Sequence, residues 1–427
     1  MMNRLKREQP PVFPVKRVRI PEAGSFELNN GIPVFLIEAG TEEIMRIEFT
    51  FKAGQIKEYL PLLSSTTNMM LSEGSQNYSS EELNRQLDFY GSFFNLSVDK
   101  DRAGIVLFIL NKHIDKVLEL SREILFRPVF PESELNSLMR KRLRWFMLNR
   151  EKVQNLASDK FFESIFGINH PYGHQVIEKD FEKIIPAYLI DFHSKYYTPD
   201  NMAIIISGKL HKKTMELLNY YFGDVPVKKR YKEGREKLLK GEKKKRVHIN
   251  KPGAVQSAIR IGSSTINKRH PDYTGLKILD SLLGGYFSSR LMKNIREDKG
   301  YTYGISSSVS SLDLKGYKVI STEVSKKNCQ KTIDEIYNEI RVLQKVPVEK
   351  EEMAVVRNYI SGEMIRMFDG PFALAESFKS AWEFGLDNSY YYSLAEKIKT
   401  IEPDEITELA RTYYNIDELY EITAGTK

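Results

Sequence analysis

The period of the hydrophobic pattern changes along the chain, and the changes mark its elements. Residues 45–53 (MRIEFTFKA) alternate apolar with polar side chains, as a strand with one buried face does, and 31–39 (GIPVFLIEA) is a second run of strand length. Helical spacing follows in 60–72 and 80–89, the latter opening on Ser80 as a cap with Glu81 and Glu82 behind it. Residues 92–110 (SFFNLSVDKDRAGIVLFIL) read as a hairpin turning at Asp99–Asp101. Helices are expected over 113–126 and 131–165, the second starting after Pro131. The loop 167–177 (GINHPYGHQVI), more helix and the strand 203–208 (AIIISG) complete the set. Antiparallel strands grouped with helices packed on one face predict an α+β architecture.

The same order returns. Residues 186–208 (PAYLIDFHSKYYTPDNMAIIISG) and 403–425 (PDEITELARTYYNIDELYEITAG) each open on a proline at a helix start, run with helical spacing to Tyr-Tyr, and close on a strand. In both, the second tyrosine (Tyr197, Tyr414) lies eleven residues after the proline and eleven before the glycine. Ala53-Gly54 resembles Ile261-Gly262, and Tyr90-Gly91 resembles Tyr303-Gly304, so paired landmarks stand 208, 213 and 217 residues apart. Steadily rising offsets fit a duplicated unit with small insertions, giving two similar halves of about 200 residues.

Composition and charge place the boundary between them. The net charge is +7, but residues 228–246 hold eleven Lys or Arg against three Glu, so the remaining 408 residues carry a net −1. A basic run without hydrophobic patterning reads as a solvated linker rather than as a face built to track phosphates, so nucleic acid is not an expected partner. The expected domains are 1–226, a charged linker 227–246, and 247–427. At 427 residues, 41% of them hydrophobic, the chain has material for several packed units. Its single cysteine, Cys329, excludes an internal disulfide framework and any multi-cysteine metal site. No apolar run reaches membrane-spanning length, and no apolar stretch follows the basic residues near Met1. A soluble cytoplasmic protein is the expectation.

Most searches for chemistry come back empty. Of seven histidines only His170 and His174 stand four apart, and Pro171 and Gly173 between them prevent a helix from presenting both rings on one face. Phosphate-binding loops, nucleophile elbows and dinucleotide motifs are absent. Ser64, Ser65, Thr66 and Thr67 form a run of hydroxyls without a neighbouring base, which reads as structural. The informative stretch is 282–304, LLGGYFSSRLMKNIREDKGYTYG. Gly284-Gly285 suits a tight turn or a close approach by another segment, a short helix follows from about Ser288, and Lys299-Gly300 ends it before a strand. Arg296 then sits on the last helical turn and Tyr303 just beyond it. A guanidinium and a phenol placed in this way can be aimed at one spot.

Taken together, the 31–39 strand opening (N-G-x-x-V), His170–Gly173 (HPYG) and 282–304 resemble the M16 metallopeptidases, the pitrilysin and mitochondrial-processing-peptidase type, over nearly the whole chain. The last stretch is close to that family's L-G-x-x-x-x-S-R-L-x-x-x-I-R-E-x-x-G-x-x-Y pattern. The resemblance implies two homologous α/β halves of the LuxS/MPP-like metallohydrolase fold, each an antiparallel-rich sheet with helices packed on one face. In active members a first-half helix carries His-x-x-Glu-His just ahead of Met-Leu-x-x-Gly-[ST]. Its two histidines and a glutamate about 75 residues on bind zinc, and its own glutamate is the general base.

Here 70–75 (MLSEGS) matches the segment after the motif, so Ser65, Asn68 and Met69 occupy its three positions. A serine, an amide and a thioether supply neither two imidazoles nor a base. The window 138–150 (LMRKRLRWFMLNR) has no acid either, with Glu151 just outside it. The expectation is a chain without zinc or other cofactor of its own. In the bacterial M16B branch the resemblance implies a clamshell of two half-size subunits, one bearing zinc and the other an Arg/Tyr pair that grips substrate and polarises the scissile carbonyl. Arg296 and Tyr303 match that pair. A plainer reading has Arg296 capping its helix and Tyr303 as one strand aromatic among 23 tyrosines.

The function expected is therefore a zinc-free, non-catalytic subunit of a heterodimeric M16B-type peptidase, with a homologous zinc-bearing subunit as partner and a peptide as substrate. Self-association into a homodimer is left open when that partner is absent. The alternative is a non-proteolytic structural or assembly subunit derived from the same family.

Overall fold

A computed structural model describes residues 20–227 and 241–426. The start of the chain and most of the basic run at 228–246 lie outside the described residues, so the linker expected at 227–246 is not placed beyond its ends. The first half runs β1 (Gly24–Glu27), β2 (Pro33–Glu38), β3 (Ile44–Phe51), α1 (Leu63–Met69), α2 (Ser80–Phe89), β4 (Phe93–Val98), β5 (Ala103–Leu110), α3 (Ile114–Phe126), α4 (Glu132–Asn149), α5 (Val153–Phe166), α6 (Pro186–Tyr196), β6 (Met202–Gly208) and α7 (Thr214–Phe222). The second runs β7 (Arg246–Asn250), β8 (Gln256–Thr265), α8 (Tyr273–Asp280), β9 (Thr302–Ser310), β10 (Gly316–Ser325), α9 (Cys329–Lys345), α10 (Lys350–Arg366), α11 (Pro371–Trp382), α12 (Ser389–Thr400), α13 (Pro403–Tyr413) and β11 (Tyr420–Gly425).

The strands form two sheets, ordered β1-β2-β6-β3-β5-β4 and β7-β11-β8-β10-β9. Without β1, the two orders are the same. The senses agree too: β2 is parallel to β6 and β7 to β11, and every other pair is antiparallel. The duplication is thus carried by topology, and α6–β6 against α13–β11 is the pairing that 186–208 and 403–425 predict. The other two landmark pairs were local look-alikes. Arg46 faces Ser207 where Ala258 faces Ala424, an offset of 212 rather than 208. Gly54 follows β3, whereas Gly262 lies inside β8. Gly91 turns the chain ahead of β4 at φ +63°, whereas Gly304 lies inside β9.

Each half keeps its own helices on one face of its sheet. Met45, Ile47, Phe49 and Phe51 of β3 enter the first core, and Ile259 and Ile261 of β8 the second. The opposite face is closed by a helix from the other half. The helix expected over 131–165 is in fact two, broken at 150–152, and the break lets α5 turn away to pack on β8 and β11. Its Ala157, Phe161 and Ile165 share a third core with Ala258, Ile422 and Ala424. In exchange α11 packs on β6 and β2, with Phe378 and Trp382 against Phe35 at ring separations of 4.9 and 5.2 Å. The halves are interlocked, not merely adjacent.

Two smaller readings change. The cap of α2 is Ser79, not Ser80: its hydroxyl accepts from the Glu82 N–H at 3.3 Å while the Glu82 carboxylate accepts the Ser79 N–H at 2.9 Å. The 60–72 helix shortens to α1, because Leu62 takes a left-handed φ of 72° that a helix interior cannot hold.

Candidate functional site

The stretch 282–304 folds much as its residues predict, with wider turns. α8 runs on into a π-helical turn, Ser281–Gly285, and a second, Met292–Asp298, leads to β9. Such i→i+5 turns widen a helix and are frequent where function sits. A Cβ on Gly284 would lie 2.7 Å from the Ser307 backbone nitrogen, so the glycine is what lets β9 come this close. Gly300 ends the second turn at φ +61°, and the Tyr301 N–H reaches back to the Ile295 carbonyl at 2.9 Å. One residue the sequence reading passed over anchors the unit. Arg290 makes a two-pronged pair with Glu352 of α10 at 2.8 and 2.7 Å.

Arg296 and Tyr303 stand at either end of this short connection. Arg296 is the basic residue of the last turn of Met292–Asp298, but among the described residues its guanidinium forms no ion pair and no hydrogen bond to a carbonyl. It lies 4.5 Å from the centre of the Phe287 ring, itself exposed. Tyr303 is 92% exposed and makes no hydrogen bond among the described residues. It sits where the β9–β10 register slips between Thr322 and Val324, on β9, the outermost strand of its sheet. Both side chains are accessible, Tyr303 fully and Arg296 in part.

The first-half positions are different in kind. Asn68 is fully buried, and its side-chain amide donates to the Gly104 carbonyl at 3.1 Å and the Tyr197 hydroxyl at 3.2 Å. Ser65 donates to the Leu62 carbonyl at 3.1 Å, and Met69 is 36% exposed at the end of α1. Facing them from α4 is Arg142, whose guanidinium donates to Ser65 Oγ at 2.8 Å and Thr66 Oγ1 at 2.6 Å. The one acid close to the 138–150 window, Glu151, is turned away and paired with Lys251 and Arg150. Nearby Glu58 accepts the Ser64 N–H at 2.8 Å, and burial pushes its carboxyl up to about 7.

A zinc ion does not fit this set. The three motif positions offer a hydroxyl bonded to a fixed guanidinium, an amide committed to Gly104 and Tyr197, and a thioether, and Glu58 stands beside them without an imidazole; no group of three His, Cys, Asp or Glu able to hold a metal occurs among the described residues. His170 and His174 are likewise not ligands. His170 is buried, stacks on Phe166, and accepts the Tyr172 N–H at 3.1 Å, and burial holds its imidazole below its ordinary value. The HPYG segment acts as a clasp, with the Tyr172 hydroxyl bonded to Asp101 of the β4–β5 turn. Asp101 in turn accepts the Asp313 N–H at 2.9 Å, which links the halves.

Two interlocked α/β halves, the second with an accessible Arg/Tyr corner, define a metallopeptidase-like scaffold. Comparison with known proteins bears on that fold. A family model described as the peptidase M16 inactive domain matches residues 183–360, a stretch containing Arg296 and Tyr303. An uncharacterized zinc protease of Bacillus subtilis, YmxG, is 21% identical over 344 residues, 80% of this chain and 83% of its own length. Subunit alpha-1 of the mitochondrial-processing peptidase of Dictyostelium discoideum is 27% identical over 158 residues, 36% of this chain and 24% of its own. The crystal structure of a peptidase M16 inactive domain from Pseudomonas fluorescens superposes with a TM-score of 0.84 at 21% identity, covering 95% of this chain and 98% of that one. Residues 183–360 thus match the M16 inactive-domain family, and the fold of the whole chain resembles that of M16 proteins. No helix among the described residues is long and apolar enough to cross a membrane.

Proposed function

We propose that this chain is the zinc-free subunit of a two-chain M16-type peptidase of the cytoplasm. Its partner is a homologous subunit that carries the zinc. This chain contributes one wall of a peptide chamber and the Arg296/Tyr303 pair, which grips a peptide carbonyl and stabilises charge developing on it. The observation that carries the reading is Arg296: a cation with no ion pair and no side-chain hydrogen bond among the described residues, held over Phe287 one short connection from an exposed phenol. The free edge of β9 beside it offers main-chain groups to an extended peptide, which suits strand addition. A relative that is by name one subunit of a processing peptidase supports division of labour between chains.

The test mixes the purified chain with a relative that carries His-x-x-Glu-His and follows cleavage of a quenched peptide. Activity is expected only in the mixture, with zinc recovered only in the relative. Arg296→Ala and Tyr303→Phe should each lower the mixture's turnover by roughly 10²-fold, the usual loss for one oxyanion donor, while the complex still forms. An intact complex whose activity neither substitution changes would establish the scaffold reading instead.

A further inference from the structure

The space beside Ser65 and Met69 is not filled in. Beside Arg142 a cavity of about 680 Å³ opens between α1, α4, α5, the β4–β5 turn and the HPYG loop. Its charges are lopsided: Lys100, Arg142 and Arg150 face it, with Asp159 as its one acid. The two inner cations are unusual because their partners are neutral. The Lys100 ammonium donates to Gln55 Oε1 at 3.3 Å and the Tyr172 carbonyl at 3.2 Å, and lies 4.4 Å over the Phe162 ring. Arg142 is bonded to hydroxyls alone. Neither has a carboxylate within ion-pair distance among the described residues, and burial pushes both below their ordinary pKa values. The carboxylate acting on both from farther off is Glu58, which burial itself holds near half charge at neutral pH. Asp101, Asp159 and Asp99 also act on Lys100, but none of these acids is in contact with either cation, and a bound anion would supply that contact to two half-buried charges.

The remaining walls say what the anion is attached to. Trp145, Phe146 and Phe181 give an apolar, aromatic surface, and Asn149 and Asn155 add amides of the kind that pair with a peptide main chain. We propose that this cavity binds the free carboxylate of a ligand with an apolar body, namely the C-terminal residue of a peptide, its carboxylate between Lys100 and Arg142 and its side chain against Trp145. The site lies in the first half, uses neither Arg296 nor Tyr303, and operates without a second chain. Fixed organic cations there recognise a peptide end by its carboxylate.

Trp145 reports on the site directly. It is 68% exposed and lines the cavity, whereas Trp382, the other tryptophan, is packed between the halves. The full chain is titrated with N-acetyl-alanyl-phenylalanine, with its C-terminal amide and with octanoate. The acid is expected to give a saturable fluorescence change that Trp145→Phe abolishes. The amide should bind at least about tenfold more weakly, and Lys100→Gln and Arg142→Gln should each weaken the acid by a similar factor, as a lost charge-assisted hydrogen bond does. Octanoate binding more tightly than the peptide acid would overturn the peptide assignment. Equal binding of acid and amide, no saturable response, or wild-type affinity in both variants would overturn the site. The acid-to-amide ratio on the unaltered chain decides the matter even should a substituted chain fail to fold.

Discussion

Replacing Glu48 with glutamine should loosen the lock between the halves. Glu48 is 1% exposed on β3; its carboxylate takes Arg46 Nη2 at 2.7 Å on one side and the Lys379 ammonium of α11 on the other. Arg46 also meets Glu376 of α11, but that carboxylate is 60% exposed and water competes for it. Glutamine keeps the shape and removes the buried negative charge in contact with both cations, Arg46 at 3% and Lys379 at 18% exposure. Breaking such a buried pair costs about 3–5 kcal/mol, and the oxygen the amide retains puts Glu48→Gln at the lower end. Against a total stability of roughly 5–15 kcal/mol that is a large loss. Urea unfolding measures it, followed by far-ultraviolet circular dichroism and by the fluorescence of Trp382, which packs on Phe35 across the same junction. A loss under about 1 kcal/mol would refute the reasoning, since exposed pairs behave in that way. Combining Glu48→Leu with Arg46→Met and Lys379→Met should recover most of the loss, because an apolar set of similar volume leaves no charge stranded.

Two further outcomes follow from other parts of the fold. A Cβ on Gly104 would come within 1.9 Å of the Phe49 carbonyl oxygen, so Gly104→Ala should push β3 and β5 apart and cost about 1–3 kcal/mol, the usual range for overpacking; unchanged urea unfolding would contradict the register. Lys318 is buried beside Ser263, and burial holds its ammonium down at about 8. The unfolded chain keeps its proton up to about 10.4, so the folded state is penalised in full below pH 8 and the penalty fades as pH climbs from 8 to 10.4. Lys318→Met should therefore stabilise the chain at pH 7 by at most about 3 kcal/mol. That gain should shrink by pH 10, and a gain constant from pH 7 to 10 would sink the assignment.

The elements and their doubling were legible in the chain itself. Alternation in 45–53, the proline that opens α6 and its counterpart in α13, and the Lys299-Gly300 stop act through neighbours a few residues away, so sequence alone fixes them. The residues Ser65, Asn68 and Met69 ahead of 70–75, and Arg296 and Tyr303 in 282–304, can likewise be read directly from the chain. What waited for the tertiary structure depends on partners far along the chain. The break at 150–152 matters only because α5 finds β8 and β11, and the polar residues of β3 are buried only because α11 arrives carrying Lys379 and Glu376. Arg142 looked like one more charge on a basic helix. Its place beside Ser65 and Thr66 appears only once packing sets α4 against α1, 77 residues away, where local periodicity carries no information.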